Sequence, residues 1–269
     1  MNLRKQNHQL KQNQLNSIQS LNPRIKQLTK RISFKAGRNF GLISTPRRKA
    51  FLKKIYRFVD FDRNLYSLQV SSVRNIEYDS FRNNFLALLC YPFGLLQYVL
   101  LPNGINIGSE LKNFGTNNGD SMKLKSLKGG SIISNIGLYN FSCGKLIRSA
   151  GTSAILVRNY NNFSLVKLKS GELRLFNDNV MCVKGSNSNS EYFLRDLKKA
   201  GTARKLLNFR SRNRALARNP VDHPMGGRTK GGVSKTPRGN NSKWASTINY
   251  NRISKYRILT KRKGKFIKF

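Results

Sequence analysis

The chain has 269 residues and carries 51 Lys and Arg against 11 Asp and Glu, a formal net charge of +40 with a pI near 11.0. Solubility alone does not require self-repulsion of that size; it calls for a polyanion, in practice nucleic acid or an anionic membrane. Two His and three scattered Cys (Cys90, Cys143, Cys182), with no Cys-x-x-Cys pair, argue against a zinc site and a disulfide framework and for a reducing, intracellular compartment.

The charge is unevenly placed. Residues 1–56 hold fourteen basic and no acidic residues, residues 57–196 sixteen basic and ten acidic, and residues 197–269 twenty-one basic and one acid, Asp222, for net charges of +14, +6 and +20. A near-balanced centre, large enough to bury a core, stands between two basic arms. The arms lack the apolar content to fold alone and are expected to order on their polyanion.

Residues 1–20 are rich in Gln, Asn and Lys and show no apolar periodicity that supports a helix. Arg is scarce and there is no amphipathic face or secretory apolar core, so the stretch reads as a simple extension rather than a transit peptide. In residues 35–44, Gly37 and Gly41 mark turns and Arg38 offers a cation to a phosphate; Arg47, Arg48 and Lys49 add three more.

Residues 56–62 form an aromatic and β-branched run that reads as a strand. Strands are also expected in residues 67–78, 84–91 and 95–101, the last two joined across Pro92, Phe93 and Gly94. Short strands with frequent turns point to a small closed β-barrel. Residues 85–101 are uncharged, but the run is short for a membrane span and Pro92 and Gly94 interrupt it, so a buried hairpin is expected and no membrane helix. Residues 104–130, with Asn and Gly clusters, read as a linker or rim between two barrels.

Arg148, Gly151 and Thr152 put a cation, a close backbone approach and a hydroxyl on one short turn, which suits phosphate and sugar contact. A barrel bulge that happens to bear an Arg would look the same. Strands at 154–157, 164–169 and 173–176, with a turn at 170–172, read as a hairpin. Residues 191–208 are the best helical stretch, with Leu194, Leu197, Ala200 and Arg204 at helical spacing, although Gly201 weakens it. Arg204, Arg210, Arg212, Arg214 and Arg218 then follow in an acid-free segment, the footprint of an arm tracking a phosphate backbone; a merely solvated face would interleave Glu. Trp244, Tyr250, Tyr256, Phe266 and Phe269 stand among cations, as groups that stack on or wedge between bases do, and packing against the barrels accounts for some of them equally well.

Residues 219–232 read Asn-Pro-Val-Asp-His-Pro-Met-Gly-Gly-Arg-Thr-Lys-Gly-Gly, which cannot be a helix or a strand. Pro220 and Pro224 remove donors and push Asn219 and His223 towards extended geometry, while Gly226, Gly227, Gly231 and Gly232 permit angles closed to other residues. The expected product is a stiff, sharply turning loop that fixes the directions of Asp222 and His223, lets main-chain N–H groups approach a phosphate, and carries Arg228 and Lys230. Asp222 beside His223 invites an acid/base reading. Adjacent residues of an extended segment project apart, however, and no Ser or Cys nucleophile shares the motif, so contact of His223 with RNA is the simpler assignment.

Residues 219–224 with Gly226 and Gly227 resemble the hallmark loop of the second protein of the large ribosomal subunit, a family present in all ribosomes. Arg-Ser-Ala-Gly-Thr at 148–152 is a second sharp match, and residues 35–44, Glu77-Tyr78-Asp79, Arg82 and Lys-Ala-Gly-x-Ala-Arg at 199–204 are further ones. Met225 stands where the family usually has a second His, and Arg228-Thr229-Lys230 where bacterial members often have Gly-Glu-Gly. The resemblance implies an all-β core, an OB-like barrel followed by an SH3-like barrel, with extended basic N- and C-terminal arms. The implied divisions are an N-terminal arm at 1–55, the OB-like barrel at 56–125, the SH3-like barrel at 126–200, and a C-terminal arm with the Gly-rich loop at 201–269.

It further implies a structural constituent of the large subunit that binds rRNA through the Arg, Lys and loop residues named above. No catalytic residue, metal site or cofactor follows from it, save Mg2+ held by the rRNA itself. The implied roles are subunit assembly, subunit association and support of the peptidyl-transferase region, with His223 close to that region. The implied partners are large-subunit rRNA, other ribosomal proteins and the small subunit at the interface. Charge alone also permits a general nucleic-acid packaging or DNA-binding protein, though no recognition helix is apparent; an rRNA-acting enzyme is disfavoured because there is no cofactor loop, metal cluster or carboxylate pair. Abundant Asn, Lys, Ile and Phe, with the pairs Asn83-Asn84, Asn117-Asn118, Asn161-Asn162 and Asn240-Asn241, point to AT-rich coding and a mitochondrial matrix ribosome. Another organelle or a bacterial cytoplasm are the alternatives.

Overall fold

The computed structural model describes residues 25–32, 37–43, 47–48, 54–63, 69–140, 144–197, 199–227, 232–244 and 258–260. Lys49, Arg228, Lys230, Tyr250, Tyr256, Phe266 and Phe269, and the expected extension at 1–20, lie outside them. The described residues fall in two compact units, one drawn from Met1–Ile32, Lys54–Asp196 and Tyr256–Phe269, the other from Ser33–Lys53 and Leu197–Lys255.

In chain order the strands are β1 (Thr29–Ile32), β2 (Arg38–Asn39), β3 (Leu42–Ile43), β4 (Lys54–Arg57), β5 (Val70–Glu77), β6 (Leu86–Cys90), β7 (Leu96–Leu100), β8 (Glu110–Lys112), β9 (Ser121–Lys123), β10 (Ile132–Ser134), β11 (Ala154–Tyr160), β12 (Phe163–Lys167), β13 (Leu173–Asn177), β14 (Met181–Lys184) and β15 (Ile258–Thr260). A helix, α1 (Ala200–Leu207), follows β14. The all-β reading holds, with an OB-like barrel preceding an SH3-like one.

The first barrel is a sheet of order β7-β6-β5-β8, joined by β4 pairing with β1 and by a bridge from Val59 to Tyr98. Strand β6 is apolar on both faces because both are covered. Ala87 and Leu89 join Val73, Val99, Leu101 and Leu111 in one core; Leu86 and Leu88 join Tyr98 and Leu100 against Ile25, Leu28, Val59 and Phe61 in another. A strand buried on both sides loses the polar alternation that marks a half-exposed one. The uncharged run at 85–101 is accordingly a hairpin, with Leu86 opposite Leu100 and Cys90 opposite Leu96. No helix among the described residues is long and apolar enough to cross a membrane.

Charge enters this core in paired form. The Arg57 Nε donates to Glu77 Oε2 at 2.8 Å, and the Tyr98 hydroxyl lies 2.9 Å from both Glu77 oxygens. Glu77 is wholly buried. Burial and the neighbouring Glu77 carboxylate hold the Tyr98 phenol well above its usual range, so it stays a donor. Asp79, also wholly buried, takes Arg82 Nη1 at 2.6 Å, and that guanidinium sits over the Tyr56 ring.

The second barrel is built on a sheet of order β15-β13-β12-β11-β10-β14-β9. Its core gathers Met122, Leu124, Ile133, Ile136, Leu156, Val166, Phe176 and Cys182. Strands β11 and β12 turn through Asn161 (φ 41°) and Asn162 (φ 68°), with Tyr160 opposite Phe163. Two positive φ angles in a two-residue turn match the right-handed strand twist, and Asn tolerates them better than most residues.

Three expectations need correction. Residues 104–130 are not a plain linker: β8 closes the first sheet on β5, and β9 pairs with β14 of the second. The expected helix over 191–208 is split into a 3-10 segment at Ser190–Leu194 and α1, with Lys199 extended between them. Among the described residues its apolar spacing finds little surface to bury, since Leu194 is 79% and Leu197 38% exposed. Parts of the arms are ordered within the protein: β1 pairs with β4, and β15 pairs with β13.

Residues 186–189 sew the barrels together. Asn103 N–H donates to the Ser186 carbonyl at 2.8 Å and Ser188 N–H to the Leu101 carbonyl at 3.0 Å, while the Ser188 hydroxyl bonds Asn84 Oδ1. Asn189 Nδ2 donates to the Asn83 carbonyl at 2.6 Å.

Candidate nucleic-acid interface

The hallmark loop is two consecutive β-turns with Pro at the second position of each. Asp222 N–H donates to the Asn219 carbonyl at 3.0 Å across Pro220, and Gly226 N–H donates to the His223 carbonyl at 2.8 Å across Pro224. Pro pre-sets the φ that this position needs. Gly227 N–H then closes the loop on the Arg218 carbonyl at 2.8 Å. A Cβ on Gly226 would stand 2.3 Å from the Asn219 carbonyl oxygen, and one on Gly227 (φ +70°) would meet the Pro220 ring at 2.8 Å. The close approaches for which these glycines are needed lie inside the loop, and their N–H groups are spent there, not held out to a phosphate.

His223 is only 5% exposed. Its Nδ1 accepts the Met225 N–H at 3.0 Å, which in the neutral imidazole leaves the proton on Nε2. Met225 contributes a main-chain group to this bond, so the absence of a second His leaves the loop's frame intact. Asp222 is exposed, as are Asn219, Pro220 and Pro224, and Val221 is 91% exposed at the tip.

The same unit collects cations from both ends of the sequence. Arg47 and Arg48 are exposed; Arg210 N–H donates to the Arg47 carbonyl at 2.9 Å, Arg48 bridges Phe209, and the Arg47 guanidinium lies over the Phe209 ring at 5.1 Å. Arg204 lies in the last turn of α1, where a cation meets the negative end of the helix dipole. Arg204, Arg210, Arg212 and Arg214 are exposed and Arg218 is half-buried. Arg38 begins the β2–β3 hairpin, whose two-residue turn is Phe40 (φ 48°) and Gly41 (φ 75°). Phe40 at that turn is 97% exposed, a feature that sequence reasoning missed. Trp244 is 89% exposed, so packing does not account for it among the described residues.

The Arg148–Thr152 turn, in the first unit, is held differently. Gly151 (φ +59°) lies so close to residue 190 that an added Cβ would be 2.5 Å from Ser190 Cα, and its N–H donates to the Ser188 carbonyl at 2.9 Å. The Thr152 hydroxyl donates to the Ser149 carbonyl at 2.7 Å. Arg148 donates to the Gly144 carbonyl at 2.9 Å and stacks its guanidinium 4.3 Å from the centre of the Phe61 ring, yet remains exposed. The turn therefore belongs to the seam between the barrels, with Arg148 on its open side. Gly151→Ala is expected to destabilise the barrels by about 1–3 kcal/mol, through a strained backbone and a forced shift at Ser190, as read from urea unfolding of the full chain.

Among the described residues no group of three or more His, Cys, Asp and Glu is placed to hold a metal ion.

Comparison with known proteins agrees with both halves. Residues 25–113 match the family model for the RNA-binding N-terminal domain of ribosomal proteins L2, and residues 117–245 match that for the L2 C-terminal domain. The large ribosomal subunit protein uL2 of Acidiphilium cryptum (strain JF-5) is 39% identical over 231 residues, covering 83% of each chain. That of Wolinella succinogenes is 35% identical over 210 residues, 76% of each chain, and that of Gluconobacter oxydans (strain 621H) 39% over 215 residues, 77% of each. With both domains matched in order and such identity over most of its length, the chain belongs to the uL2 family of large-subunit ribosomal proteins.

Proposed function

We infer that the chain is a structural constituent of the large ribosomal subunit, that it binds rRNA, and that it is not an enzyme. The observation that carries the mode of binding is the second unit, where Arg47 and Arg48 of one arm join Phe209 and Arg210 of the other, and Arg212 and Arg218 stand beside His223 of the rigid double-turn loop. Such a surface neutralises phosphates and holds their register without reading sequence. Arg38, Lys49, Arg228 and Lys230 are the further cations of the same sequence segments, Asn219 and Asp222 offer polar contacts at the loop, and Phe40 and Trp244 are open for stacking. On the first unit Arg148 and Thr152 provide a second contact, with Gly151 setting the shape of the turn.

Replacing Arg210 and Arg214 by Gln is expected to weaken binding to large-subunit rRNA about equally across sequences and to flatten the salt dependence, with the log–log slope falling by about 1 per charge removed. An unchanged slope would deny these residues a phosphate contact.

Roles in assembly and subunit association fit a chain that carries both rigid barrels and basic arms. Ile132, opposite Ile155, and Val157 are each about half exposed on the second barrel, an apolar row that fits contact with another ribosomal component. His223 serves the peptidyl-transferase region by organising RNA. Ribosomes carrying His223→Ala that assemble fully are expected to form peptide bonds at the ordinary rate; much slower bond formation in fully assembled particles would assign it a chemical part. The ribosome is mitochondrial in this reading, on the AT-rich coding signal; the bacterial sources of the relatives favour the competing placement. Fractionation of the source cells decides between them.

A further inference from the structure

We propose that the cleft beside His223 is a receptor for a single extruded nucleotide of an unpaired RNA strand. The inference rests on the rRNA-binding reading and adds to it the form of RNA that this loop takes. The cleft measures about 210 Å3 and is lined by Arg212, Asn213, Ala215, Arg218, His223 and Pro237, all within the second unit. Pockets for drug-sized ligands run to roughly 300–1,000 Å3, so this one is on the scale of one base or one ribose phosphate.

Its lining is chemically one-sided. Among the described residues that line it there are two guanidinium groups, no carboxylate, and an amide that both donates and accepts. His223 has its Nδ1 committed to Met225, and among the described residues no partner reaches Nε2, which is left as an N–H donor. Ala215 and Pro237 give apolar wall to the face of a base, while Arg212 and Arg218 suit the phosphates on either side of it. A paired base keeps its faces in the stack and its hydrogen-bonding edge occupied; an unpaired one enters at the least cost.

The site is built before the RNA arrives. The His223 carbonyl holds Gly226 and the Arg218 carbonyl holds Gly227, so the backbone carrying two of the cleft's polar groups is fixed by the two turns. Geometry of that kind favours one ligand shape over general counterion binding. Local sequence gives no sign of the cleft, because Pro237 comes from beyond the loop.

The test uses the full chain and a short single-stranded oligoribonucleotide containing 4-thiouridine, with ultraviolet cross-links mapped by mass spectrometry. Cross-links are expected on residues 212–223 or at Pro237, and about tenfold fewer there when the same strand is annealed to its complement. Ala215→Trp, which fills the cleft, is expected to remove them while cross-links elsewhere persist. His223→Asn keeps an acceptor towards Met225 and deletes the Nε2 donor, and is expected to reduce them about tenfold. Cross-links on the unmodified chain that lie wholly outside the cleft, or that are equally strong with duplex, overturn the proposal while leaving rRNA binding intact. Failure of the chain to bind either RNA form at any salt concentration would instead overturn the underlying reading.

Discussion

Glu77→Gln is expected to cost the first barrel about 3–5 kcal/mol. The substitution leaves Arg57, whose side chain is only 9% exposed, without its counter-charge, and takes from Tyr98 the carboxylate that its hydroxyl meets. An uncompensated buried cation is the costly species, not the missing bond itself. The check is a double-mutant cycle by chemical denaturation of the full chain: Glu77→Gln, Arg57→Met and the two combined. Removing both charges should restore much of the lost stability. If the double variant is as unstable as the sum of its parts, the pair does not act as a unit.

Gly226→Ala is the second large effect, and it falls on binding. The added methyl would stand 2.3 Å from the Asn219 carbonyl oxygen and 2.8 Å from that of Arg218. Both are backbone atoms and cannot rotate away, so the second turn must open and the His223 carbonyl must release the Gly226 N–H. Affinity for large-subunit rRNA is expected to fall tenfold or more, about 1.4 kcal/mol at the least. Unfolding of the barrels should be unchanged, because the barrels take no part in these contacts. Gly201→Ala is the matched control: nothing lies within 4 Å of the Cβ it would add, and it stands within α1, where Ala is favoured.

The loop was legible because its signal is local. Two prolines and two glycines at fixed offsets dictate turns whatever surrounds them, and the two turns found are the ones those residues favour. The β6–β7 hairpin was legible for the same reason, through Pro92 and Gly94. What sequence left hidden depends on partners distant in the chain. Residues 104–130 looked like linker because three-residue strands have almost no periodicity; β9 exists only because β14, nearly sixty residues on, offers it an edge. Gly151 read as a place for RNA to approach, whereas the group that approaches is Ser190. Leu194 and Leu197 kept helical spacing in a stretch with little surface to pack on among the described residues, and tertiary context overrode the pattern. His223 was foreseen as an RNA-contacting residue, but its burial and its bond to Met225 follow from the turn closing around it.

The most direct test of the account is sedimentation of the tagged full chain from a gentle lysate of its source, at moderate and then at high salt, with sequencing of the RNA in its peak. A structural rRNA-binding role predicts co-migration with large-subunit rRNA that survives high salt, since arms held inside a particle cannot exchange for counterions as a surface patch does. Release into the soluble fraction by salt, together with RNA or DNA of mixed origin, would contradict it and mark the chain as a general nucleic-acid packaging protein.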